Sequence, residues 1–186
     1  MRDGRIEVRR GVKRQRRVRD VAFVTPLLVL ALLALAQPAS AQDVGLQLGT
    51  VPEAVELQDL DGKAVSLSKY VGNKPVLIEF WATWCPLCAE LEPRIVALKK
   101  RYGEALDVVI IAVGVNQTPR SIKRHLQEHD LPGPVLYDAR GRATRAFQAP
   151  STSYIVALDA RGRVVYTGVG SDQDVAAAAA KAIAAR

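Results

Sequence analysis

The 186-residue chain is poor in the side chains that build metal centres and cross-linked scaffolds, with two cysteines, two histidines and one methionine. Two cysteines can be a staple, half a metal site or a redox couple. A tetrahedral zinc site takes about four ligands, and beyond Cys85 and Cys88 only His125 and His129 offer soft donors. After residue 20 there is almost no excess of positive charge. Nine basic and three acidic groups in residues 1–20 account for six of the seven net charges. The body therefore lacks the basic surface that tracks phosphates, and nucleic acid is not an expected partner. The longest apolar run, Val21 to Ala36, is short of the roughly 20 residues of a spanning helix, and Pro26 interrupts it. No internal repeat is present.

What is there starts with a leader. An Arg-rich stretch, the apolar run and Ala39-Ser40-Ala41 follow the basic–apolar–small order of a secretory signal. Residues 1–41 are expected to be a signal peptide or an N-terminal membrane anchor, with a mature start at Gln42 if cleaved. No cysteine lies near the cleavage site, which argues against a lipoprotein anchor. Residues 42–52 read as a linker and 53–186 as the working domain. That domain belongs outside the cytoplasm, periplasmic or secreted and possible to anchor at the inner membrane, where disulfides persist or must be managed.

Within the domain, "VELQDLDGKAVSLSKYVG" reads as a hairpin around Asp61-Gly62. "KPVLIEFWA" and "LDVVIIAVGV" are apolar runs that read as buried strands. A helix is expected from Cys85 to about Arg101, with Leu91, Ile95, Val96 and Leu98 as its apolar stripe. "TPRSIKRHLQEHD" reads as a helix capped by Thr118, with Pro119 at its first position. "GPVLYD", "RATRAFQ" and the hairpin "TSYIVALD"/"VVYTGVG" follow, then an alanine-rich helix opened by Ser171 and Asp174, with a thin apolar face and loose docking. Alternating β and α predicts an α/β sandwich on a mixed sheet, parallel in the middle with an antiparallel hairpin at one edge.

The cysteines sit where chemistry favours a thiolate. A buried strand ends at Trp81, and Cys85 opens the next helix, where free N–H groups and the helix dipole lower a thiol's pKa. Cys88 lies one turn on, within reach of a disulfide. As a staple it would close so small a loop that little unfolded-state entropy is removed. As a zinc site it would need His125 and His129, which share one helix. A redox pair is the favoured reading. Trp84 and Pro86 shape the surface around the first sulfur, and Trp81 is expected in the core.

"LIEFWATWCPLC" resembles the active-site segment of the thioredoxin superfamily. The leader, the N-terminal hairpin and the extra βα segment resemble its extracytoplasmic TlpA/ResA-like branch, over roughly residues 50–183. The resemblance implies a thioredoxin-like three-layer sandwich and a thiol-disulfide oxidoreductase without a cofactor or metal. Cys85 would be the attacking thiolate and Cys88 the buried resolving thiol. Glu79, mid-strand where charge is costly, matches the family's buried acid, which relays a proton to and from the resolving cysteine. Desolvation would raise its pKa toward neutrality, as suits a general base. The plainer reading is a glutamate reaching water or a lysine. Trp84, Pro86, Leu87, Thr152 and Ser153 would contact substrate.

Two positions depart from the branch. Its glutamate three residues after the second cysteine is replaced by Leu91, flanked by Glu90 and Glu92. Its cis-proline loop has no matching proline. Counting back from Asp159 places Ser153 there, after Thr152, unless a three-residue insertion follows Pro150. A Thr152–Ser153 bond should be trans, since a non-proline cis bond costs ~2.5–4 kcal/mol.

Pro86-Leu87 places no basic group between the cysteines, which predicts a moderate to low potential and a reductant. The implied partners are extracytoplasmic protein thiols and disulfides, apocytochrome c among them, and a membrane thiol-transfer electron donor. A monomer is expected. The alternatives are a disulfide-forming oxidase, a Sco-type copper-binding chaperone on the same fold, a peroxiredoxin-like peroxidase, and a non-catalytic binding domain. CxxC spacing and the shared helix of both histidines disfavour the copper reading. No Thr-x-x-Cys pattern supports the peroxidase, and two intact cysteines disfavour the last.

Overall fold

The computed structural model describes residues 44–185. The leader and its cleavage site lie outside the described residues. Seven strands form one mixed sheet in the order β2-β1-β5-β4-β3-β6-β7. β3 (Val76–Trp81) lies inside the sheet between β4 and β6, and its six residues are all buried. Both faces must therefore be covered, as its nearly unbroken apolar sequence requires. β4 (Asp107–Val113) and β5 (Val135–Asp138) extend the sheet in parallel on one side. β6 (Tyr154–Leu158) and β7 (Val164–Val169) continue antiparallel on the other. The hairpin of β1 (Glu56–Gln58) and β2 (Ala64–Ser66) joins β5 through the pair Gln58 and Tyr137. Antiparallel hairpins thus flank both edges of the parallel strands, where one was expected.

Among the described residues the α-helices are α1 (Pro86–Tyr102), α2 (Pro119–His125), α3 (Arg142–Ala146) and α4 (Val175–Ala184). Side chains alternate along β3. Phe80 faces the α3 side, 5.7 Å from the ring of Phe147 and 5.6 Å from that of Tyr154. Glu79 and Trp81 share the opposite face, where the Trp81 ring lies 5.2 Å from His125 at the end of α2.

Several expectations shift in detail. Leu91, Ile95 and Leu98 are buried on α1, but Val96 is exposed, because a 3.6-residue period carries it past the buried stripe. Thr118 caps α2 through a reciprocal bond with Ser121, yet the regular helix ends at His125 and residues 126–129 form turns. Asp174, not Ser171, caps α4 by accepting from the Ala177 N–H. That helix is well docked: Val175, Ala178, Ala179 and Ala182 are buried, since small side chains let it approach β6, β7 and β3 closely. Residues 44–52 form no helix or strand. Leu46 is nonetheless buried, its N–H donates to the Tyr154 hydroxyl at 3.0 Å, and the Gly49 N–H donates to the Val164 carbonyl at 2.7 Å.

Candidate active site

The site grows from the join between β3 and α1. The chain turns at Ala82, whose carbonyl accepts from the Cys85 N–H at 3.1 Å. Pro86 then occupies the first turn of α1, where its missing N–H is no loss. Cys85 is the N-cap, and its sulfur accepts from the Cys88 N–H at 3.1 Å. The two cysteines are joined in a disulfide across a Cα–Cα distance of 5.3 Å. Cys88 is fully buried, whereas Cys85 keeps 6% of its surface exposed. Trp84 and Leu87 stand exposed on either side, and Trp81 is in the core.

The turn before Cys85 is fixed by a residue that carries no signal in the sequence. Gln117 is buried beyond the end of β4. Its side-chain oxygen accepts from the Thr83 N–H at 3.0 Å, while its amide nitrogen donates to the Val113 carbonyl at 2.7 Å and the Trp81 carbonyl at 3.5 Å. The Tyr137 hydroxyl donates to the Gln117 carbonyl at 3.1 Å. Trp84 is held from the same loop, its indole N–H donating to the Val115 carbonyl at 2.9 Å.

Ser153 stands immediately before β6, beside the end of β3. Its N–H donates to the Phe80 carbonyl at 2.8 Å, a bond that proline could not make. Its φ is +58°, in the left-handed region. A small knot stabilises that conformation. The Ser153 hydroxyl accepts from the Gly170 N–H at 3.2 Å, and its carbonyl accepts from the Gln173 side chain at 2.9 Å. Gln173 also donates to the Gly170 carbonyl at 2.6 Å. No peptide bond among the described residues is cis, so Thr152–Ser153 is trans as expected. Pro150, three residues earlier, instead lines an open groove of about 460 Å³ with Trp84, Val115, Ser151 and Thr152.

Glu79 is 2% exposed and its Oε1 has no hydrogen-bond partner, so the reading of a carboxylate that reaches water or a lysine does not hold. Burial pushes its carboxyl up to about 8, and the negative charge of Glu92 on α1 adds to the rise. Glu92 in turn lies 3.9 Å from the Nδ1 of His129. His129 stacks on His125 with ring centroids 4.1 Å apart. Both histidines are partly buried, though the His129 side chain keeps 43% exposure, because the turn after α2 folds them back toward α1 and Trp81. Among the described residues no three His, Cys, Asp or Glu side chains converge as a metal-ligand set.

A disulfide that caps a helix after a central buried strand, with a buried acid in that strand, defines a thioredoxin-like redox protein. Comparisons place the chain further. Residues 47–183 match the Redoxin family, and the chain belongs to it. It is similar to the thioredoxin-like protein YneN of Bacillus subtilis, 32% identical over 137 residues that cover 73% of this chain and 79% of that one. It is also similar to the thiol-disulfide oxidoreductase ResA of Bacillus thuringiensis subsp. konkukian, 28% identical over 120 residues covering 64% and 68% of the two chains. The fold matches a protein of Chlorobium tepidum described as a thiol:disulfide interchange protein DsbE, with a TM-score of 0.64, 22% identity and coverage of 74% and 98%. The chain is a thiol-disulfide oxidoreductase of the TlpA/ResA-like kind.

Proposed function

We propose that this protein reduces disulfides in polypeptides outside the cytoplasm. The observation that carries the reading is the Cys85–Cys88 disulfide at the start of α1, with Cys88 fully buried and Cys85 the more exposed of the two. Cys85 is the attacking residue. Its thiolate attacks one sulfur of a substrate disulfide, forming a mixed disulfide and expelling the other sulfur as a thiolate. Cys88 then gives its proton to Glu79 and attacks the Cys85 sulfur. The substrate leaves as its second thiolate, and Cys85 and Cys88 are joined again. Two electrons have passed to the substrate. Trp84, Pro86, Leu87 and Thr152 receive the extended substrate segment, whereas Ser153, buried and with its polar groups bonded internally, holds the loop instead of contacting substrate. Returning the disulfide to dithiol takes two electrons from an external dithiol, which outside the cytoplasm implies a membrane thiol-transfer protein.

Residues 1–41 deliver or anchor the chain and 53–186 do the chemistry, while the stretch expected to be a linker over 42–52 packs onto that domain through Leu46, Gly49 and Thr50. Apocytochrome c cysteines and other mis-oxidised extracytoplasmic proteins are the substrates this chemistry would serve.

The test is the potential of the Cys85–Cys88 couple, equilibrated against glutathione and dithiothreitol. A value near that of thioredoxin, roughly −270 mV, is expected. A value near −120 mV would make the protein a disulfide-forming oxidase. No reversible couple, together with tight copper binding, would move it to the copper-chaperone class.

A further inference from the structure

Gln173 lies in the turn between β7 and α4 and is buried. Both polar ends of its side chain are in use. The amide nitrogen donates to the Ser153 carbonyl at 2.9 Å and to the Gly170 carbonyl at 2.6 Å. The side-chain oxygen accepts from the Tyr166 hydroxyl on β7 at 3.4 Å. Gly168 leaves room for that oxygen, since a Cβ there would come within 2.6 Å of it. The Gln173 backbone carbonyl accepts from the Arg94 guanidinium at 3.1 Å, and Arg94 belongs to α1, the helix that Cys85 caps. One buried residue thus ties the loop before β6 to the turn before α4 and to the helix that carries the disulfide.

The loop before β6 needs that support. Ser153 has a φ of +58°, a conformation that a serine keeps only where its surroundings fix it. Its N–H, carbonyl and hydroxyl are all bonded within the protein. The residue a substrate meets is the one before it. Thr152 is partly exposed and lines the open groove with Trp84, Val115 and Pro150. Among the described residues its N–H has no hydrogen-bond partner, so it is free to pair with the backbone of an extended segment. We propose that Gln173 is a positioning residue for polypeptide substrates: by fixing Ser153 against Gly170 and α1, it sets Thr152 beside the groove and determines how tightly the segment flanking a substrate disulfide is held. Gln173 touches none of the reacting atoms, and the exchange at sulfur runs as described above. This role rests on the reading of the protein as a reductase of polypeptide disulfides.

The experiment mixes the reduced full chain, and its Gln173→Met and Gln173→Asn variants, with excess disulfide and traps the remaining protein thiols with a maleimide at intervals. Met fills a similar space without the amide. Asn keeps an amide one methylene short of Ser153, so the test survives if Q173M does not fold. The probes are insulin, a polypeptide disulfide, and bis(2-hydroxyethyl) disulfide, which has no segment to hold. In both variants the rate constant for insulin, divided by that for the small disulfide, should fall about threefold to tenfold, the free-energy scale of one hydrogen bond. The insulin concentration at half-maximal rate should rise by the same factor, while the limiting rate stays in place. A purely structural role would lower the urea midpoint and leave the ratio at its wild-type value, and that result overturns the proposal. Equal slowing with both probes overturns it as well, because the defect then lies at the sulfurs. If the wild type opens the small disulfide but not insulin, the reading as a polypeptide reductase fails and this one with it.

Discussion

Glu79 is where a single side chain alters both stability and chemistry. Its carboxyl stands at about 8 in the fold, against an ordinary value of 4.5. A raised acid is an acid whose charged form the fold disfavours. Stability is therefore unaffected below about pH 4.5, falls as the pH rises toward 8, and levels off above it. Glu79→Gln removes that loss. In urea unfolding of the oxidised protein, the variant should gain on the wild type as pH rises from 5 to 9, by roughly 3–5 kcal/mol at the upper end. A difference that does not change with pH would show that the carboxyl is not held in its neutral form. Glu79 could be singled out in the sequence because a charge inside "PVLIEFW" has no cheap explanation. Gln117 and Gln173 could not. Each does its work through bonds to backbone atoms far along the chain, Gln117 to Thr83 and Gln173 to Ser153, and a lone glutamine in a loop carries no periodicity or spacing to mark it. Glu92 was visible only as a residue beside a missing family glutamate. Its link to His129 depends on how the turn after α2 folds back.

At the scale of elements, the sequence pattern succeeded where packing is two-sided and erred where it depends on a neighbour. The buried runs of β3 and β4 and the cap and stripe of α1 follow from the residue pattern, and the same 3.6-residue period excludes Val96. The end of α2 does not, since it depends on how the following turn packs. α4 is the instructive case. A face made of alanine looks weakly sticky, yet small side chains permit close approach, and the helix lies tightly on the sheet. Ala179 is fully buried there. Ala179→Leu should overpack the contact and lower stability by about 1–3 kcal/mol, read as a drop in the urea midpoint. A neutral result would mean that α4 can slide outward, as a loosely docked helix does.

Across the whole molecule, the segment before the first strand belongs to the fold's stability even though it has no regular structure. Leu46 is buried, and residues 46–50 exchange three hydrogen bonds with Tyr154 and Val164. A chain begun at residue 53 should lose roughly 2–4 kcal/mol, the sum of one buried leucine and its bonds. Unchanged unfolding on that truncation would make residues 44–52 a connector only.

The opposite margin of the sheet is attached quite differently. The β1–β2 hairpin meets β5 through the single pair of Gln58 and Tyr137, two strands away from the strand that leads into the disulfide. A sub-global opening that detaches this hairpin breaks one ladder pair and uncovers Leu57, and leaves β3, β4 and α1 intact. Its amides should exchange with deuterium far sooner than those of the central strands, as a separate cooperative unit of low local free energy. Breathing at one margin is thereby insulated from electron transfer at the centre, so the molecule can loosen there without letting water reach its buried sulfur.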